Sequence, residues 1–158
     1  MTSETNGSKP QFVYVSYIAT TPEKLWEALT SAKFTEQYWF GHRVESDWQV
    51  GSPVVFKMPN GQVAVQGEVL VSEPPRLLSY TWTVPDDTML RESPTRITFE
   101  LEPMDSVVKL TIVHSNLLAA DYVEERNTFR GLNNGWPAIL SILKSFLETG
   151  QPLPLEVA

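Results

Sequence analysis

A chain of 158 residues, 42% apolar and 20% charged, is the size of one domain and can close a core without covalent staples. Having no cysteine, it is excluded from disulfides, thiolate nucleophiles and cysteine-bound zinc, and a reducing, cytoplasmic setting is expected. The net charge of −7, with 12 basic residues that form no cluster, argues against nucleic acid and anionic membrane as partners, and no run of about 18 apolar residues is present to span a bilayer.

Residues 1–10, MTSETNGSKP, contain no apolar run and read as a disordered tail; 11–150 make the expected domain and 151–158 a C-terminal tail. QFVYVSYI (11–18) predicts a strand, with the inward face of Tyr14 and Ser16 or of their neighbours left open. In TTPEKLWEALTSAKF, Thr20 or Thr21 can cap a helix, with Pro22 in its first turn and Glu23 completing a capping box with Thr20. A break near Ser31 divides a helix pair over about 22–40.

From Val44 the period changes to two. Asn60-Gly61 marks a hairpin, and the prolines at 74–75 mark a turn. Leu78, Tyr80, Trp82 and Val84 share one face, as do Ile97, Phe99 and Leu101, and then Val108, Leu110, Ile112 and His114, while the opposite faces carry Ser79, Thr81 and Thr83 (with Leu77 the exception), Thr98, Glu100 and Glu102, and Lys109 and Thr111. Alternation of this kind predicts an antiparallel sheet with one buried and one wet face. PDDTMLRESP (85–94) reads as a mobile hairpin loop.

Leu118, Tyr122, Phe129 and Leu132 then fall at helical spacing, with the acids of DYVEER (121–126) on a wet face. GLNNGWP interrupts them, because Pro137 lacks the N–H and clashes with the carbonyl four residues back. Either a second helix starts near Asn134 with Pro137 in its first turn, or one long helix kinks there; a break or kink within 131–137 is the favoured reading. Trp136, Ile139, Leu140, Ile142, Leu143, Phe146 and Leu147 make a wide apolar stripe that ends at Gly150.

The fold class implied is α+β: a curved antiparallel sheet of six or seven strands around a long C-terminal helix, with a short helix pair after the first strand. A sheet that wide must curl around a helix of about 10–12 Å, with Gly51 and Gly67 as candidate bends. One helix tends not to fill the enclosed space, so an apolar cavity is expected between helix and sheet.

Three stretches carry a family resemblance: TPEKLWEALTSAKFTEQYWF, GEVLVSEPPRLLSYTW and GWPAILSILKSFLE. In this order they resemble the helix-grip fold of the START-like (SRPBCC) superfamily, and within it the activator of heat-shock protein 90 ATPase homologues. The resemblance implies a ligand cavity, or contact with a chaperone or other protein, and elsewhere in the superfamily cyclase and hydrolase chemistry.

The expected cavity lining is Trp39, Phe40, Phe56, Tyr80, Trp82, Phe99, Ile112, His114, Trp136, Leu140 and Leu143, and the expected partner is a small apolar molecule. Neither cofactor nor metal is expected, since the two histidines, His42 and His114, have no ligand-spaced partners. His42 reads as a surface-loop residue. His114 and Tyr80 are the candidates for acid/base or orienting roles, although a hydrogen-bonded core-edge histidine and a satisfied buried tyrosine explain them more simply. No nucleophile–base order or phosphate-binding glycine loop is present, which weighs toward binding rather than catalysis. Monomer and homodimer both remain open.

Overall fold

The computed structural model describes residues 10–87 and 91–155. The tail expected at 1–10, apart from Pro10, thus lies outside the described residues, as do the centre of the 85–94 loop and residues 156–158.

Strand β1 (Phe12–Ile18) leads into helices α1 (Pro22–Thr30) and α2 (Ala32–Tyr38). Strands β2 (Arg43–Glu45), β3 (Pro53–Lys57), β4 (Val63–Glu73), β5 (Leu77–Trp82), β6 (Thr95–Met104) and β7 (Val107–Ser115) follow as a meander. A one-turn 3-10 helix (Ala119–Asp121) precedes α3 (Leu132–Thr149). The seven strands form one sheet in the order β1-β7-β6-β5-β4-β3-β2, antiparallel throughout. Its apolar face packs on α3, whose Trp136, Ile139, Leu140, Ile142 and Leu143 are buried. This is the helix-grip α+β arrangement.

Period-two patterning sets the inward faces of β6 and β7, where Ile97, Phe99, Leu101, Val108, Leu110, Ile112 and His114 are all buried. In β1 the even positions point inward: Ile18 is buried and Phe12 and Tyr14 pack on the core, while Val13, Val15 and Tyr17 face out. Val84 does not continue the inward row of β5, for it lies beyond the strand and is exposed. Ser79, on the outer face, is nevertheless buried, because its hydroxyl donates to the Ile97 carbonyl and accepts from the Arg96 guanidinium above it.

The cap of α1 is Thr21, whose Oγ1 accepts from the Lys24 N–H at 3.2 Å; Thr20 does not provide it. The helix pair divides at Ser31, which ends α1 and opens α2. Gly67 in β4 is a point of close approach: a Cβ there would sit 1.8 Å from the Thr81 carbonyl oxygen. Only glycine allows β4 and β5 to approach this closely, and the β4–β5 register shifts just beyond it, between Val69 and Val71.

The helix expected through Leu118–Leu132 is absent. Apart from one 3-10 turn, residues 116–130 are irregular, and Glu124, Glu125 and Arg126 are exposed on irregular chain instead of on a helix face. The segment is held by tertiary bonds: Tyr122 Oη donates to the Gln11 carbonyl at 3.1 Å, and the Asn133 amide pairs with both the N–H and the C=O of Val123 at 2.9 Å. The chain break falls at Gly131 (φ 82°), the N-cap of α3, so Pro137 sits inside the helix rather than in its first turn. Gly150, in the left-handed conformation, closes α3. The C-terminal tail is docked in part, since Leu155 packs against the core.

Candidate functional site

The interior between sheet and α3 is lined with aromatic rings that pack on one another. Trp39 lies 4.6 Å from Phe56, 6.0 Å from Trp82 and 5.3 Å from Trp136, centroid to centroid. Tyr80 lies 6.3 Å from Phe56 and 6.0 Å from Phe99. Such contacts fill volume as well as stabilise. Trp39, Phe56, Tyr80, Phe99, Ile112, Trp136, Leu140 and Leu143 are all buried here. Phe40, half-buried, packs at a tilt against Phe129, with centroids 6.4 Å apart.

Two residues of the expected lining, Trp82 and His114, reach a pocket of about 120 Å³ at the start of α3. Val84, Leu117 and Leu132 complete its apolar walls, and Thr95, Asp87, Arg91 and Asp121 supply polar groups. The pocket forms where β5 and β7 end, β6 begins, and the chain turns into α3.

His114 sits at its base, 3% exposed, with both ring nitrogens engaged. The Trp136 indole N–H donates to Nδ1 at 3.0 Å. An indole nitrogen is only a donor, so Nδ1 is the acceptor and the ring proton is on Nε2. That proton is donated to Thr95 Oγ1 at 2.9 Å, and the Thr95 hydroxyl donates to the Trp82 carbonyl at 3.1 Å. The chain of bonds ties α3 to β7, β6 and β5. Burial, together with the Arg91 charge and against the opposing pull of Asp121, holds the imidazole neutral, with its pKa lowered to about 4. A ring whose lone pair is already taken is poorly placed to accept a proton from a substrate.

The mouth of the pocket is built by ion pairing. Arg91 places two guanidinium nitrogens on the two oxygens of Asp121, one at 2.8 Å, and its Nε on Asp87 at 2.6 Å. The Asp121 carboxylate also accepts the Leu118 N–H at 2.8 Å. Burial opposes its ionisation, but the bonds from Arg91 and Leu118 outweigh it and leave its pKa below the ordinary value.

Tyr80 does not line this pocket. Its hydroxyl is fully buried and, among the described residues, has no hydrogen-bond partner; burial pushes its pKa far up, so it stays neutral. His42 is half-buried beyond α2, and burial lowers its pKa. Reading the residues one after another misses Arg91, Asp87 and Asp121, since the partners lie up to thirty positions apart. Thr95 shares its parity with Ile97 and Phe99, a signal that could have placed it inward.

The fold is that of a helix-grip protein of the START-like (SRPBCC) superfamily. Residues 19–148 match the family described as Activator of Hsp90 ATPase homolog 1-like protein, and the chain belongs to that family. Among solved structures, protein MLL2253 from Mesorhizobium loti is similar at 29% identity and a TM-score of 0.70, over 87% of this chain and 96% of that one. The Aha1 dimer from Colwellia psychrerythraea is similar at 23% identity and a TM-score of 0.68, over 89% and 98%. PFC0360w, an HSP90 activator from Plasmodium falciparum, is similar at 23% identity and a TM-score of 0.58, over 69% and 74%. At these last two identities the likeness is one of fold. No curated protein matches the chain. Among the described residues, no helix is long and apolar enough to cross a membrane.

Proposed function

We propose that this domain binds a small, largely apolar molecule at the pocket between Trp82, Leu117 and Leu132, with Arg91 and Asp121 orienting a polar end at the mouth. The observation carrying this reading is the convergence of apolar walls on polar groups whose positions are set by their mutual bonds. Helix-grip architecture supports it. Extension of the ligand into the interior, along Trp39, Phe56 and Trp136, requires those rings to part. Catalysis through His114 and Tyr80 has less support, because both His114 nitrogens are occupied and Tyr80 lies away from the pocket.

The test is a thermal-shift screen of lipids, phenolics and polyketide-like compounds against wild type and Leu132→Trp, which fills the pocket. A ligand that raises the wild-type Tm and leaves the variant unmoved supports the reading. Absence of any shift, or the same shift in both, overturns it.

A second reading, a chaperone-partner module, is favoured by the outer face of edge strand β1, where Val13 and Tyr17 are 50% and 49% exposed. The relevant measurement is chaperone ATPase stimulation by wild type against Val13→Lys/Tyr17→Lys. No stimulation by wild type removes this reading.

A further inference from the structure

Away from that pocket, two observations converge on one place. The first is the unpartnered hydroxyl of Tyr80, the one such buried side-chain atom among the described residues. A buried donor without an acceptor lowers stability relative to phenylalanine at the same position. Polar groups nearby are already used: Tyr38 Oη donates to the Ala28 carbonyl at 2.7 Å, and the Trp48 indole N–H to the Thr30 carbonyl at 2.9 Å.

The second is Trp48 itself. Its φ is 58°, a left-handed conformation that bulky residues rarely adopt. Its ring is held 5.9 Å from that of Tyr80 by the bond to Thr30 and by its backbone N–H donating to Ser46 Oγ at 3.0 Å. Thr30 and Ser46 also line an open groove of about 490 Å³, together with Val44, Glu45, Asp47 and Val55. Trp48 thus packs on the Tyr80 ring, while its two hydrogen-bond partners, Thr30 and Ser46, line the open groove.

We propose that Trp48 is a displaceable plug over a second binding site, one that takes a neutral planar aromatic molecule about the size of indole bearing a hydrogen-bond acceptor. The ligand ring replaces the Trp48 ring against Tyr80, and its acceptor receives the Tyr80 O–H. Neutrality follows from the burial of the Tyr80 hydroxyl, where a charged ligand would lose its hydration, and Asp47 at the groove adds repulsion against anions, Glu45 there being paired with Lys57. An aryl ketone fits, whereas an aromatic carboxylate does not. The site is separate from the pocket at Leu132 and does not depend on it.

The test uses the full chain and two probes of matched shape, acetophenone and ethylbenzene, which differ in the acceptor oxygen. By NMR titration, wild type is expected to bind acetophenone about tenfold more tightly than ethylbenzene, with the Trp48 indole resonance shifting. Tyr80→Phe removes the donor and abolishes that preference, while the ligand-free Tm rises by about 2–6 °C. Trp48→Gly removes the plug and suits the positive φ, so it binds acetophenone more tightly than wild type. Leu132→Trp leaves the preference unchanged.

Equal affinities for the two probes in wild type, or a preference that survives in Tyr80→Phe or is lost in Leu132→Trp, overturn the proposal. So does a Tyr80→Phe protein less stable than wild type, which would mean that a fixed buried water already serves the hydroxyl. If Trp48→Gly fails to fold, wild type against Tyr80→Phe decides alone.

Discussion

The indole N–H of Trp136 donates to Nδ1 of His114 at 3.0 Å, and this one bond fixes the histidine tautomer, anchors the first turns of α3 to the sheet and removes the imidazole from acid/base work. Trp136 also packs edge-on to the His114 ring, with centroids 5.9 Å apart. Position 136 thus supplies both apolar bulk and the one donor that satisfies His114 Nδ1.

Trp136→Phe keeps an aromatic ring but leaves that nitrogen buried without a partner. Stability is expected to fall by about 2–4 kcal/mol, the cost of an unpaired buried acceptor plus the lost indole volume. Urea denaturation of the two proteins measures it. A loss below about 0.5 kcal/mol would show that the bond contributes little.

The pH dependence has a definite sign. His114 has an ordinary pKa of 6.5 when unfolded and about 4 when folded, so between these values the unfolded chain binds more protons. Stability is complete above pH 6.5 and falls as pH drops toward 4, by about 3 kcal/mol in all. Arg91 and Asp121 face the ring with opposing effects, and the lowered pKa of Asp121 adds a further loss as pH falls through it. NMR titration of the two histidine rings checks this directly, with the His114 ring silent until about pH 5. A His114 midpoint near 6.5 contradicts the buried chain of bonds.

Gly67 and Gly51 separate close approach from backbone conformation. A Cβ at Gly67 meets the Thr81 carbonyl at 1.8 Å, whereas at Gly51 it meets nothing within 4 Å and the strain is that of φ +92° alone. Gly67→Ala is expected to cost about 3 kcal/mol or more, or to prevent folding; Gly51→Ala about 1–2 kcal/mol. Equal costs in thermal melts would refute the distinction.

Asn133 holds the irregular segment before α3 by pairing with both backbone groups of Val123. Asn133→Ala is expected to cost about 1–2 kcal/mol and to speed amide exchange across 122–130 while leaving 139–148 unchanged. Uniform acceleration would mean that the segment and α3 open together.

Much of this architecture could be read from local order. Strict alternation in β6 and β7 placed Ile97, Phe99, Ile112 and His114 inward, because a period of two leaves a strand with one buried face no other register. The wide stripe from Trp136 to Leu147 marked α3 as the helix the sheet encloses, for the same reason of burial. Leu118, Tyr122, Phe129 and Leu132 misled, since helical spacing alone does not make a helix: Gly131 interrupts it, the Val123 backbone bonds to the Asn133 side chain, and the Tyr122 hydroxyl donates to the Gln11 carbonyl. The pocket mouth was invisible, because Arg91 and Asp121 are brought together by three separate strand ends. Whether the interior was open or packed depended on how closely β4 approaches β5 at Gly67 and how Trp39, Trp82 and Trp136 meet. Periodicity states which side of an element is apolar; the distance between two apolar sides is set by contacts between residues far apart in the chain, and no local pattern encodes it.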